Sequence, residues 1–183
     1  MMPGALEAAQ EVGRAAAAVD EGEFEALVRE IAGARHIVLH GAGREGLMLR
    51  ALAMRLHHLG LAAHVWGDMS MPPVGQGDLV LLAAGPGDLP TVGVLAELAR
   101  NQGARTACVT AQPSGPTPRA CDLMLVIPAQ TMADDQGVDT SVLPMGSVFE
   151  GAMFLASEML VLRLAGLLEQ SPADIRARHA NLE

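Results

Sequence analysis

A set of short apolar runs, most of them ending in glycine and followed by a helix-like segment, constrains this chain more than any other feature. HIVLH (36–40) runs into GAGREG (41–46), and residues 44–59 then carry apolar side chains at helical spacing up to Gly60. LAAHVW (61–66) is a second strand-like run. DLVLLAAG (78–85) is a third, again meeting glycines at GPGD (85–88), with a helix expected from about 89 to 102 before Gly103. RTACVT (105–110) and DLMLVIP (122–128) supply two more. Runs that are apolar throughout, rather than alternating, belong to strands buried on both faces. The expected fold is therefore α/β, a three-layer doubly wound sandwich with a five-stranded parallel sheet and helices on both faces.

Around this frame, residues 4–33 read as one or two helices broken near Asp20–Gly22, an N-terminal extension (1–33) of a single domain spanning 1–183. GDMSMPPVGQG (67–77) and the proline-rich QPSGPTPRA are expected to be irregular. AQTMADDQGVDTSVLPMG (129–146) is a loop of about eighteen residues, a length that compact domains rarely carry without a function. A long helix is expected at 147–168. Ser171 followed by Pro172 then starts a short one, and the tail (171–183) frays unless it docks against something.

Composition excludes several classes. Trp66, Phe24, Phe149 and Phe154 are the only aromatic residues, so the core must be aliphatic. A net charge of −9 without a basic run leaves no electrostatic footprint for nucleic acid. The longest apolar stretch, GAMFLASEMLVLRLAGLL, is interrupted by Glu158 and Arg163 and falls short of a membrane span. The polar, acidic N-terminus does not read as a signal peptide, so a cytoplasmic protein with no membrane partner is expected. Cys108 and Cys121 have no metal-ligand or redox spacing, and Cys108 reads as a buried thiol. No metal cluster is suggested.

Ligands of doubly wound sheets bind outside the carboxyl ends of the strands. The turns at 41–46 and 84–88 stand there, which makes Gly41, Gly43, Arg44 and Glu45 candidate contacts on one side and Gly85, Gly87 and Asp88 on the other. GAGREG fits a dinucleotide fingerprint, but the second strand ends in Trp66 where a ribose-binding acid belongs. Ser147 and Glu150 form S-x-x-E at a helix start, either a capping box or a ligand-facing pair. Arg44 is either solvated or an anchor. His40 either faces the ligand or is a satisfied polar strand end, and His57 and His58 are expected on an exposed helix face. His179, taken alone, is an exposed terminal histidine.

Several segments together resemble sugar-isomerase (SIS) domains, and among them the 6-phospho-3-hexuloisomerases. HIVLHGAGREG with LMLRALAMRLHHLG is similar to that family's GAGRSG and A-M-R-L-x-H-L-G; LPMGSVFE is similar to P-L-G-T-x-F-E, and RHANLE to R-H-A-x-L-E. The resemblance covers about residues 4–183. It implies an aldose–ketose isomerase working through an enediol on a sugar or sugar phosphate, without a cofactor. It also implies Glu150 as base, His179 assisting, and a homo-oligomer, a tetramer, in which the C-terminal histidine reaches a neighbouring subunit's site.

The pattern breaks at the phosphate cradle. Glu45 stands where the family has serine, and Ala84-Gly85-Pro86-Gly87-Asp88-Leu89 replaces S-G-S-G-E-T. Met71 and Pro73 replace a hydroxyl and a cation in the loop after the second strand. Glu45 is expected either to satisfy amides that a phosphate would use or to point to solvent as an ordinary first-turn acid. A phosphate ~4 Å from its carboxylate meets a repulsion of about 4 kcal/mol per charge pair at a surface-like dielectric, before screening. Two functions stay open: an isomerase whose substrate lacks the phosphate, and a non-catalytic SIS domain acting as sensor or scaffold.

Overall fold

The computed structural model describes residues 2–137 and 140–181. Strands β1 (Ile37–Gly41), β2 (Ala63–Val65), β3 (Leu79–Ala83), β4 (Arg105–Thr110) and β5 (Leu123–Val126) form one sheet in the order β2-β1-β3-β4-β5. Every neighbouring pair is parallel. The central strand shows why: all five residues of β3 are buried, Leu79, Leu81 and Ala83 in one core and Val80 and Leu82 in the other. A strand that is apolar on both faces needs helices on both faces.

The larger core lies under α2 (Glu21–Gly33), α3 (Gly43–His58) and α6 (Ser147–Leu167), and α1 (Ala5–Ala17) packs along α6. The smaller core lies under α4 (Pro90–Asn101), with α5 (Pro116–Arg119) beside it. The chain leaves β1 for the edge strand β2 and returns on the other side of β1 as β3. The turns after β1 and β3 are therefore neighbours at the point where the winding reverses, the position at which open α/β sheets form a crevice.

The expected three-layer parallel sandwich is found, with β4 as expected, β1 shifted by one residue, and the ends of β2, β3 and β5 trimmed by one or two. α5 is the element the sequence hides, because its prolines argue against a helix. Pro116 occupies the first position and Pro118 the third, where backbone N–H groups have no intrahelical partner to lose. α7 (Pro172–Ala177) begins as expected: Ser171 caps Asp174 N–H and the Asp174 carboxylate accepts from Ser171 N–H. It docks on α3, where the Arg178 guanidinium donates to the His58 carbonyl at 2.9 Å. His58 departs from the expected exposure. It is buried, with its ring centroid 5.3 Å from that of His179, whereas His57 is exposed. Cys108 is buried as expected. Among the described residues no helix is long and apolar enough to cross a membrane.

One contact sets the angle between β1 and α3. A Cβ added at Gly46 would lie 2.3 Å from the Gly41 carbonyl oxygen, backbone against backbone, with no flexible atom to give way. Gly46→Ala is expected to destabilise the protein by at least ~1–3 kcal/mol, the cost typical of overpacking, read as a lower urea midpoint at unchanged slope.

Candidate functional site

β1 ends at Gly41, and Gly43, with φ +55°, opens α3, so Arg44 and Glu45 occupy its first turn at the mouth of the crevice. Glu45 does not point to solvent. Its side chain crosses to the turn after β3, where both carboxylate oxygens accept from the Gly85 N–H, at 3.1 and 3.0 Å. The approach is close enough to require glycine: a Cβ at residue 85 would stand 2.7 Å from Phe149 Cε1 and 2.8 Å from Glu45 Oε1. The neighbouring amides are also committed or absent. Pro86 has none, Gly87 N–H donates to the Ala84 carbonyl at 2.9 Å, and Leu89 N–H donates to Thr117 Oγ1 at 3.1 Å.

Opposite stands α6. The capping-box reading of Ser147 and Glu150 is corrected here, because Gly146 is the N-cap and Ser147 is already the first helical residue. Ser147 Oγ accepts from Arg44 Nη1 at 3.0 Å, and the Glu150 carboxylate pairs with Arg44 Nη2 at 2.7 Å. Both side chains of the S-x-x-E pattern thus turn to one guanidinium on α3.

The described parts of the long loop between β5 and α6, 129–137 and 140–146, roof the space between. Thr131, almost fully buried, is held by Asp134, Gln130 Nε2 donates to the Met145 carbonyl at 2.9 Å, and the Ser141 hydroxyl meets the Glu11 carboxylate of α1. The enclosed cleft measures about 330 Å³ and is lined chiefly by Arg44, Glu45, Pro86, Met132, Phe149 and Glu150.

Electrostatics separates the two carboxyls. Burial pushes Glu45 up to about 7 against the opposing pull of the Gly85 amide, and the nearby Glu150 charge adds to the rise. Glu150 is also raised by burial, with Arg44 pulling it back down.

A family model described as the SIS domain matches residues 30–154, more than half of the chain. The chain belongs to the SIS domain family. This SIS protein is 39% identical over 173 residues to 3-hexulose-6-phosphate isomerase from Mycobacterium gastri, covering 94% of this chain and 86% of that one. It is 31% identical to the Bacillus subtilis protein of the same name, covering 94% of each. Among solved structures, a Methanococcus jannaschii protein whose crystal structure was taken to infer a 3-hexulose-6-phosphate isomerase function superposes with a TM-score of 0.80. That match is at 26% identity and covers 89% of this chain and 87% of that chain.

Of the residues expected at an SIS ligand site, Gly43, Arg44, Glu45, Ser147 and Glu150 converge, with Gly85 directly behind Glu45. Gly41 lies beneath α3, against Gly46. Gly87 packs on Gly115 and Gln112, and Asp88 is exposed outside the cleft lining. His179 sits with His58 at the far end of α3, whose 16 residues span ~24 Å at 1.5 Å per residue. His40 lies on the opposite sheet face, edge-on to Trp66 beside a separate apolar cavity of about 130 Å³, and burial lowers its pKa, with Arg50 adding to the effect. Phe149 and Thr131 were not singled out by the sequence. Only the length of the 129–146 loop signalled that something there mattered.

Because Glu45 is raised from 4.5 to about 7 on folding, the folded state holds its proton more tightly than the unfolded chain does. Stability is therefore lost as pH rises from about 4.5 to about 7, by an amount of order 3 kcal/mol. Glu45→Gln, which keeps an acceptor for Gly85 N–H, is expected to remove this loss. Denaturation at pH 5 and pH 8 should show the variant more stable than wild type mainly at pH 8.

Proposed function

We propose that this chain is a sugar isomerase that interconverts an aldose and a ketose through an enediol, with Glu150 as the base. The observation that carries this reading is a Glu150 side chain, only 14% exposed, held 2.7 Å from Arg44 at the wall of a closed-in cleft. Proton abstraction beside a carbonyl needs a fixed carboxylate and a positive or donor group near the oxygen that gains charge. Arg44 holds the Glu150 carboxylate at the cleft wall, opposes the upward pull of burial on it, and brings a positive charge to the same wall. The names of the M. gastri and B. subtilis relatives support the broader class, a sugar-phosphate isomerase.

The finer proposal departs from those relatives at the phosphate. Glu45 fills the Gly85 amide, Pro86 offers none, and the Gly87 amide is spent on Ala84, so the turn after β3 has little left to give an anion. The preferred substrate is an unphosphorylated sugar or a related hydroxy-ketone. The same filled turn favours a second reading, a sugar-derivative sensor or scaffold without turnover.

Incubation in deuterium oxide with 3-hexulose 6-phosphate and with unphosphorylated hexuloses separates these readings. Exchange at the carbon next to the carbonyl is expected, faster with the unphosphorylated sugars, and about 10²–10⁴-fold slower in Glu150→Gln. Thermal stabilisation by a sugar without exchange would establish the sensor instead.

His179 is assigned an assisting role from a neighbouring copy, since within one chain it lies at the other end of α3. α6 supports such an assembly, with Phe154, Leu155, Met159 and Leu162 exposed along one side. Leu162→Glu is expected to lower the mass measured by light scattering, from the proposed tetramer to a smaller species.

A further inference from the structure

We propose that Glu45 is a second catalytic residue, an acid–base partner of Glu150 that carries a proton between the two oxygens of the enediol. The proposal rests on the isomerase reading and adds the half of the chemistry that Glu150 leaves undone. Moving a hydrogen between neighbouring carbons also requires the oxygens to exchange a proton, since the carbonyl becomes a hydroxyl as the hydroxyl becomes a carbonyl.

Two carboxyls line this cleft, and their neighbours differ in kind. Glu150 has the Arg44 guanidinium at 2.7 Å. Glu45 has no ion-pair partner among the described residues; it has the Gly85 N–H, Phe149 beside it in the cleft lining and against the same Gly85, and 9% exposure. When two carboxyls share a site, the one with the cation ionises and the other keeps its proton, which separates base from acid. The charged and titratable groups facing Glu45 agree with this assignment. Glu150 on α6 opposes its ionisation, and the Cys108 thiol on β4, itself raised well above its ordinary value, stays neutral. Arg44, next to it on α3, is turned to Glu150 and Ser147.

The steps balance without any further reactant. Starting from a ketose, the Glu150 carboxylate takes the proton from the hydroxyl-bearing carbon next to the carbonyl. The C–H electron pair becomes the carbon–carbon double bond, and the carbonyl π pair takes the proton of the Glu45 carboxyl, giving the enediol. Glu45, now a carboxylate, removes the proton of the other hydroxyl. That O–H pair forms the new carbonyl, and the carbon–carbon π pair takes the proton back from Glu150 at the neighbouring carbon. Both carboxyls return to their starting states. One Glu45 oxygen suffices for Gly85 N–H, which leaves the other for the proton.

The test compares wild type, Glu45→Gln and Glu45→Ser on whichever sugar wild type turns over, from pH 5 to 9, together with carbon-13 spectra of glutamate-labelled protein. Wild-type kcat/KM is expected to fall on the alkaline side near pH 7, as Glu45 loses its proton. In Glu45→Gln that limb should vanish, with kcat lower by at least ~10²-fold and KM changed by less than about 3-fold. Glu45→Ser should lose kcat likewise. The labelled spectra should contain one carboxyl titrating near 7 that disappears in Glu45→Gln. A Gln variant that keeps kcat within about 3-fold, or keeps the alkaline limb, overturns the proposal, as does a Glu45 carboxyl titrating below about 5. Wild type that exchanges no sugar proton at all sinks the isomerase reading itself, a result distinct from an active wild type indifferent to residue 45.

Discussion

The cleft depends on how closely the first turn of α3 settles on the end of β1. Gly46 rests on the Gly41 carbonyl with no room for a side chain, and this sets where Arg44 and Glu45 start. From there Arg44 faces α6 and Glu45 faces the turn after β3. A helix raised by a single methyl group would move both. The parallel sheet supplies the rest, because the reversal between β1 and β3 makes the two turns neighbours although some forty residues separate them in the chain.

Within that frame, one guanidinium distributes the charge. Arg44 spends its hydrogen bond on Ser147 and its charge on Glu150, leaving Glu45 to a single amide. Burial and the like charge nearby then push Glu45 towards its neutral form. Two residues of the same type, on the walls of one small space, are thus given different chemistry by neighbours rather than by kind. The same inward turn of Glu45 occupies the Gly85 amide, so the raised carboxyl and the filled turn have one cause.

Much of this was legible in the sequence, for physical reasons that differ by element. The sheet was readable because runs such as LVLLA are apolar at every position, which only a doubly covered strand tolerates. Glu45 was readable as an anomaly because an acid stood where a turn expects a small hydroxyl, and of its two expected orientations the inward one is found. Its exact acceptor role was not readable, since that depends on the Gly85 amide forty residues away. Ser147 and Glu150 show the limit of local rules: their spacing satisfies a capping pattern, but Arg44 competes for both side chains and the helix starts at Ser147 itself. α5 was missed because prolines break helices in the middle and are harmless in the first turn. His58 was misjudged because the partner that covers it comes from α7, at the other end of the chain.

The N-terminal helix is less of an appendage than its place in the chain suggests. Val12 sits in the notch left by Gly151, one residue from Glu150, and Glu11 holds the Ser141 hydroxyl of the roof. A single helix therefore braces both the element that carries Glu150 and the cover above it. The cleft wall and its cover share one support, so a change at Val12 or Glu11 on α1 reaches both without touching any residue that lines the cleft.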